Sequence, residues 1–279
     1  MIEPRTLHPD KVETIRQWDN DPCGLLEGLA PDDPAYWLRV EANRYQAYAP
    51  WIRSTLGFNR YPGRRVLEVG FGLGTDLMQF ARAGSEVYGI DLVPRHIELA
   101  RRRFRAFHMR ARLARADVEC LPYASESFDV VYSFGVLHHT PDMRAALREI
   151  YRVLRTGGVL IMAVYHRDSL QMAWKVVVEG LLQRRLFSMD WRKFMSRIEQ
   201  RDALNTAAPL VRVYSRSALR RLLSPFAQTS IMVQHGFSLC ETGSEGCLKR
   251  TAKRMLNRVF ASKVMVRRFG WYLIATATK

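Results

Sequence analysis

An α/β fold, built on a strand, a glycine turn, a helix and a second strand, is what the stretch Arg65–Asp91 predicts. Three observations carry that prediction. A β-rich apolar run, Val66, Leu67 and Val69, leads directly into Gly70-Phe71-Gly72-Leu73-Gly74. Beyond it Leu77, Met78, Phe80 and Ala81 recur at helical spacing. A second short run, Glu86-Val87-Tyr88-Gly89-Ile90, then ends on the acid Asp91, which puts a carboxylate at the tip of the second strand.

Each piece suits a bound nucleoside. Glycines allow φ > 0 and close approach of backbone to a ligand, and the helix after Gly74 offers free N–H groups in its first turn. A carboxylate beyond strand two can accept both hydroxyls of a ribose. The details argue against a dinucleotide. The spacing is Gly-x-Gly-x-Gly, Glu68 stands two residues before the first glycine, and Thr75-Asp76 puts negative charge where a pyrophosphate would rest. A cationic ligand without phosphate fits better, and S-adenosylmethionine carries both a sulfonium and an ammonium.

Glu68–Asp76 resembles motif I of class I S-adenosylmethionine-dependent methyltransferases, and the likeness continues in order down the chain. Asp91 stands where that family has its ribose-binding acid, and Arg115-Ala116-Asp117-Val118 is similar to the end of its third strand. Ser127–Phe134 followed by Gly135-Val136-Leu137-His138-His139 resembles the fourth strand and its exit. Leu154–Met162 resembles a helix end, a glycine turn and the fifth strand. The resemblance spans Val66–Tyr165 and implies a Rossmann-like, seven-stranded mixed sheet of order 3-2-1-4-5-7-6, with S-adenosylmethionine as cofactor. It further implies that Gly70, Gly72 and Gly74 shape the cofactor loop and that Glu68 serves the methionine end. Asp91 would bind ribose and Asp117 with Val118 adenine, with Phe71, Leu92 and Phe134 completing the cofactor wall.

The chain has 279 residues, enough for one α/β domain with insertions. Residues 61–279 are expected to form the core, residues 1–60 an N-terminal helical cap. Met1–Asp10 has no apolar signal-like region, and no stretch reaches the roughly 18 apolar residues needed to span a bilayer. A cytoplasmic location is therefore expected. The cysteines, Cys23, Cys120, Cys240 and Cys247, form no C-x-x-C pair and read as free thiols. Scattered histidines argue against a metal site. The formal net charge of +16 leaves an anionic partner open: a phospholipid surface, a phosphorylated small molecule or RNA.

In the cap, a helical pattern after Pro34 carries Tyr36, Trp37, Val40, Tyr45, Tyr48 and Trp51. These aromatics either pack the helix on the sheet or, Tyr45 and Tyr36 first, wall the substrate pocket, as N-terminal helices of related methyltransferases do. Pro94–His108 reads as the next helix, and its cluster Arg101, Arg102, Arg103 and Arg105 is expected on the surface. Ligands of open α/β sheets sit at the C-terminal edge, which is where His138 and His139 fall after strand four. Either imidazole could serve as a base. His138 is the preferred candidate, with one of the pair left to packing. Tyr165-His166 ends strand five at the same edge, making His166 a second base candidate and Tyr165 a substrate contact.

Insertions follow. Residues 167–212 are expected to form a helical lid, because Asp168–Phe187 is apolar around most of a helix and basic residues succeed it. Gln228–Gln234 and Trp271–Thr278 read as strands six and seven, separated by a long insertion at 238–269 where the family has a tight hairpin. Within it Leu248–Gly270 holds no acidic residue, and its apolar and basic positions interleave as an amphipathic helix. Such an element suits a solvated face, a membrane surface or RNA. The reading is methyl transfer to a small or lipid-like acceptor, since no target-recognition domain is visible. RNA methylation, or a non-catalytic scaffold on the same fold, are the alternatives.

Overall fold

A computed structural model of the chain describes residues 7–26, 32–182, 190–199, 207–237 and 256–279. The sheet runs β3 (Arg112–Arg115), β2 (Glu86–Asp91), β1 (Arg65–Val69), β4 (Phe128–Phe134), β5 (Leu154–Tyr165), β7 (Tyr272–Thr278), β6 (Gln228–Gln234). The first five are parallel, and β7 lies antiparallel to both β5 and β6. The predicted order is therefore the observed one. Register aligns Val69 of β1 with Ile90 of β2, and Glu68 with Tyr132 of β4, so the C-terminal ends of the central strands share one edge.

Parallel strands are buried on both faces, which is why these runs are nearly continuous in apolar residues. Alternation divides them. Val66, Val130, Tyr132 and Ile161 point into one apolar cluster, while Leu67, Val69, Val131, Leu160 and Met162 point into the other. Fully burying each such side chain is worth about 1.5–3 kcal/mol, so the sheet is a stiff platform for the edge above it.

Several helices are capped by a side chain just before their first turn. In α2 (Pro34–Ala42) the Asp33 side chain accepts from the Ala35 N–H at 2.8 Å, and the helix continues as a π-helical segment, Asn43–Tyr48. Before it lies α1 (Pro9–Asn20), and after it α3 (Ile52–Leu56). α4 (Thr75–Arg82) and α5 (Pro94–Ala106) follow β1 and β2, and α6 (Met143–Val153) precedes β5. The insertion after β5 holds α7 (Leu170–Trp174), continuing π-helically through Lys175–Leu182, and α8 (Trp191–Ser196). α9 (Arg216–Leu222) leads to β6, and α10 (Lys263–Phe269) leads to β7.

Four differences from the sequence reading have local causes. α5 ends at Ala106, because His108 turns to φ 52. Arg103 of that helix is fully buried instead of exposed: it meets Glu41 Oε1 at 2.5 Å and Thr75 Oγ1 at 2.9 Å, with its guanidinium over Trp37. Its carboxylate partner comes from α2, outside the α5 pattern. β5 begins at Leu154, where the end of α6 was expected, since Leu154 already pairs with Phe128. The basic insertion is interrupted: residues 256–260 are helical, and α10 starts anew after Ser262. Its earlier part, with Cys240 and Cys247, lies outside the described residues; Cys120 is a free thiol.

Candidate active site

The turn after β1 is held by bonds that its own short span and the next strand provide. Gly70 N–H donates to Ile90 O at 2.8 Å, and Gly74 N–H to Phe71 O at 2.7 Å. Gly70 has φ +72, and a Cβ there would stand 2.3 Å from Val136 Cγ2, so only glycine fits. Gly72, at φ +52, would meet nothing within 4 Å: its open side faces the ligand space. Asp91 ties the second strand to this turn, accepting from Gly72 N–H at 3.0 Å and from Val93 N–H at 2.9 Å, with His96 Nδ1 at 3.1 Å. Burial opposes its charge, but His96 and those two N–H groups outweigh it and hold the carboxyl below the ordinary range.

Above this edge lies a cavity of about 740 Å³, within the usual size of ligand sites. Its wall includes Glu68, Gly70, Phe71, Gly72, Asp91, Leu92, Val118, Phe134 and Tyr165. Most of the predicted cofactor positions thus come together. Glu68 shows what the cavity asks of a ligand. It accepts from the Leu77 N–H, yet Oε2 is buried without a partner. Burial, and then the neighbouring Asp76, drive its pKa well above the ordinary value. An ammonium group beside Oε2 would satisfy it and favour its ionised form. The methionine end of S-adenosylmethionine supplies that group, so these residues fit the cofactor.

Asp76, the acid that argued against a pyrophosphate, is neutralised from the cap. Arg44, in the π-helical segment after α2, donates Nε to Oδ1 at 2.7 Å and its second nitrogen to Oδ2, while Tyr132 and Tyr45 each donate at 2.7 Å. Burial works against the charge of Asp76, but Arg44 and the two hydroxyls hold its carboxyl below the usual range. Arg44 also stands over Phe134, 4.8 Å from the ring centre, and lines the cavity.

Several predicted positions fall elsewhere. Gly74 closes the turn at φ +66 but is not on the wall; a Cβ there would press on Ala100 and Phe104, so it also seats α5. The Asp117 carboxylate faces α1, where Lys11 Nζ donates at 2.6 Å and also reaches Glu119. Burial opposes the Lys11 charge, but these two carboxylates outweigh it and raise its pKa. Tyr36 is buried against Trp37, and its hydroxyl accepts from Leu26 N–H at 3.1 Å, away from the cavity. Tyr45 is spent on Asp76. His138 is fully buried beneath the wall, between Tyr165 at 4.0 Å and His139 at 4.2 Å. Burial, with His139 adding to it, pushes its pKa well down. His166 is likewise off the wall, its Nδ1–H donating to Gly270 O at 3.0 Å.

Of the three histidines weighed as bases, the one on the wall is His139. Its Nδ1–H donates to Leu210 O at 2.6 Å, which leaves Nε2 with its lone pair, buried and without a hydrogen-bond partner. Glu199, just after α8, places Oε1 3.7 Å from Nε2 and accepts there from the Tyr165 hydroxyl at 2.6 Å. Trp18 of α1 meets His139 edge-on at 6.0 Å, and Trp18, Tyr48, Ile198, Trp271 and Tyr272 also line the space. The ligand atoms of His138, His139 and Glu199 lie within 4.8 Å of one another, an assembly the scattered histidines gave no hint of. Sequence spacing missed Arg44, Glu199 and Trp18, for none lies in a recurring pattern. His139 was legible, but as the second choice of an adjacent pair.

Comparison with known proteins agrees with this geometry. A family model described as Methyltransferase domain matches residues 67–162. The ubiquinone biosynthesis O-methyltransferase of Cereibacter sphaeroides (strain ATCC 17029 / ATH 2.4.9) is 31% identical over 208 residues, covering 72% of this chain and 83% of that protein. The malonyl-[acyl-carrier protein] O-methyltransferase of Enterobacter lignolyticus is 33% identical over 174 residues, 60% of this chain and 62% of that one. Among solved structures, the Haloferax volcanii methyltransferase in complex with the Trm112 methyltransferase activator superposes with a TM-score of 0.54 at 15% identity, covering 95% of this chain and 96% of that one. A SAM-dependent methyltransferase of Thermotoga maritima gives 0.54 at 18%, covering 88% and 97%. At such identities the structural likenesses speak for the fold, and the sequence relatives for the family. The chain belongs to the class I S-adenosylmethionine-dependent methyltransferases.

Proposed function

We propose that the chain methylates a hydroxyl oxygen of a small, largely apolar acceptor, with His139 as the general base. One observation carries this reading: a buried imidazole whose Nδ1–H is fixed by the Leu210 carbonyl, which leaves the Nε2 lone pair unpaired on a residue that lines a cavity walled by Trp18, Tyr165 and Trp271. When bound, S-adenosylmethionine supplies a methyl group already activated on a sulfonium. What remains for the protein is to hold an acceptor in line, exclude water and take a proton. His139 Nε2 receives the hydroxyl proton, and the Glu199 carboxylate at 3.7 Å steadies the imidazolium that forms. The Tyr165 hydroxyl, bonded to Glu199, fixes that carboxylate. Aromatic walls favour a flat or lipid-like acceptor over a highly charged one. The two named relatives are both O-methyltransferases, which is in keeping with an oxygen acceptor.

The test is turnover of a panel of phenolic, carboxylic and amine acceptors, with products located by mass spectrometry. O-methyl products are expected, and His139→Gln lowers kcat by about 10²- to 10⁴-fold with S-adenosylmethionine affinity unchanged by calorimetry. Full kcat in that variant would remove His139 from the chemistry, and exclusively N-methyl products would sink the oxygen reading. The cluster of His138, His139 and Glu199 favours a second reading, a divalent cation that binds the acceptor oxygen. Dialysis against a chelator separates the two. The base reading expects no change in rate, whereas a loss restored by added zinc or magnesium supports the cation.

A further inference from the structure

We propose that the face made by residues 174–182 and 256–268 docks on an anionic phospholipid bilayer. Most of the large apolar side chains exposed among the described residues fall within two short pieces of it. Trp174, Val177, Leu181 and Leu182 project from α7 and its continuation, Leu256, Val259 and Val264 from the segment before β7. Leu182 and Val264 are each 75% exposed. The two pieces are neighbours. Phe237 stands between them, 5.7 Å from the Trp174 ring and 5.4 Å from that of Phe260. A monomer seldom leaves so concentrated an apolar surface to water.

Charge selects the occupant. Arg258, Lys263, Arg267 and Arg268 are exposed among these apolar residues, and residues 248–270 contain no acid. Among the described residues, none of the four faces a carboxylate within ion-pair distance. Apolar side chains that enter the acyl boundary, ringed by cations that meet anionic head groups, are the pattern of an interfacial element. A second copy of the chain fits poorly, because a two-fold contact would set cations against cations. RNA fits poorly too, because its bases need aromatic faces for stacking, and most of what is exposed here is valine and leucine. Gln171, one turn before Trp174 on α7, lines the cavity, so docking would bring an apolar acceptor in the bilayer close to the cavity wall. That consequence rests on the acceptor reading; docking itself does not.

The test is co-sedimentation of the full chain with vesicles of phosphatidylcholine alone, or mixed with phosphatidylglycerol, over a range of salt. We expect binding to the anionic vesicles only, weakening as salt rises. The double variant Leu182→Asp, Val264→Asp should bind at least about ten-fold more weakly. Each of Lys263→Gln and Arg267→Gln should cost about five-fold, the equivalent of ~1 kcal/mol per charge. Unchanged S-adenosylmethionine affinity in the variants shows that they fold. Equal binding to neutral vesicles, or insensitivity to the double variant, overturns the proposal. So does retention by polyuridylate with none by vesicles, or a vesicle-free dimer that the double variant splits. None of these outcomes touches the assignment of His139.

Discussion

The two halves of the cavity are built differently. On the cofactor side, groups that bond one another are near in sequence or on adjacent strands: Gly70 to Ile90, Gly72 to Asp91, Val93 to Asp91. On the acceptor side the partners come from far apart: Trp18 of α1 against His139, and Glu199 after α8 against His139 and Tyr165. A rigid sheet edge with short turns can hold a cofactor by spacing alone. The other side is formed where α1 and the insertion after β5 pack over the edge, and α1 is tied at both ends, Lys11 to Asp117 and Gln17 Nε2 to Glu199 O. One consequence is that the cofactor half can stay constant in a family while the acceptor half is rebuilt.

The division is crossed at Asp76, where Arg44 and Tyr45 reach the cofactor side from the segment after α2. Arg44→Met would leave Asp76 buried and charged without its cation, and breaking such a pair costs about 3–5 kcal/mol. Urea denaturation should show a loss of that size, much of it recovered in Arg44→Met, Asp76→Asn. A loss below about 1 kcal/mol would mean that the Tyr45 and Tyr132 hydroxyls suffice.

The next effect is confined to the cofactor half. Asp91→Asn keeps an acceptor for Gly72 N–H but removes the charge that ribose hydroxyls would use. Charge-assisted bonds are worth about 1.5–3 kcal/mol, so S-adenosylmethionine affinity should fall about ten- to hundred-fold while the acceptor KM holds. Unchanged affinity would move the ribose away from the end of β2.

Glu68 gives a pH signature on the same side. Its carboxyl is raised by burial and by Asp76, so in the free protein it holds its proton well above the ordinary carboxylate range. A cationic ligand prefers the ionised form, so a proton leaves on binding. Affinity should therefore rise with pH, by up to about ten-fold per unit, until the pH passes the pKa of the free protein, and then level off. Glu68→Gln should abolish the slope. A slope of opposite sign would place a different group against the ammonium.

How much was legible follows from the same division. Val66, Leu67 and Val69 before the glycine turn, and Asp91 after the second run, announced the cofactor half, because strand, turn and helix are encoded within about thirty residues. Glu199 could not be read, since nothing in the insertion's sequence says which acid will turn inward 60 positions from its imidazole. Asp117 illustrates the cost of reading motifs alone: its place at the end of β3 was legible, but Lys11, which occupies its carboxylate, arrives from a helix outside the motif. His138 and His139 were equally visible, and only the short helical turn Leu137–His139 decides which ring meets the cavity.

Tyr36 puts the smallest effect on the line between the halves. Sequence placed it among aromatics that could wall the acceptor, yet its ring lies with Trp37, Leu73 and Leu99, and its hydroxyl reaches only the Leu26 backbone. Removing the hydroxyl leaves the ring in its pocket and unpairs one partly buried N–H, a cost of about 0.5–1.5 kcal/mol. Tyr36→Phe should thus lower the denaturation midpoint slightly and leave both kcat and the acceptor KM as they were. A change in KM without a change in stability would return Tyr36 to the acceptor side. The route for such an effect is Leu73, which packs in the same cluster as Tyr36 and lines the cavity.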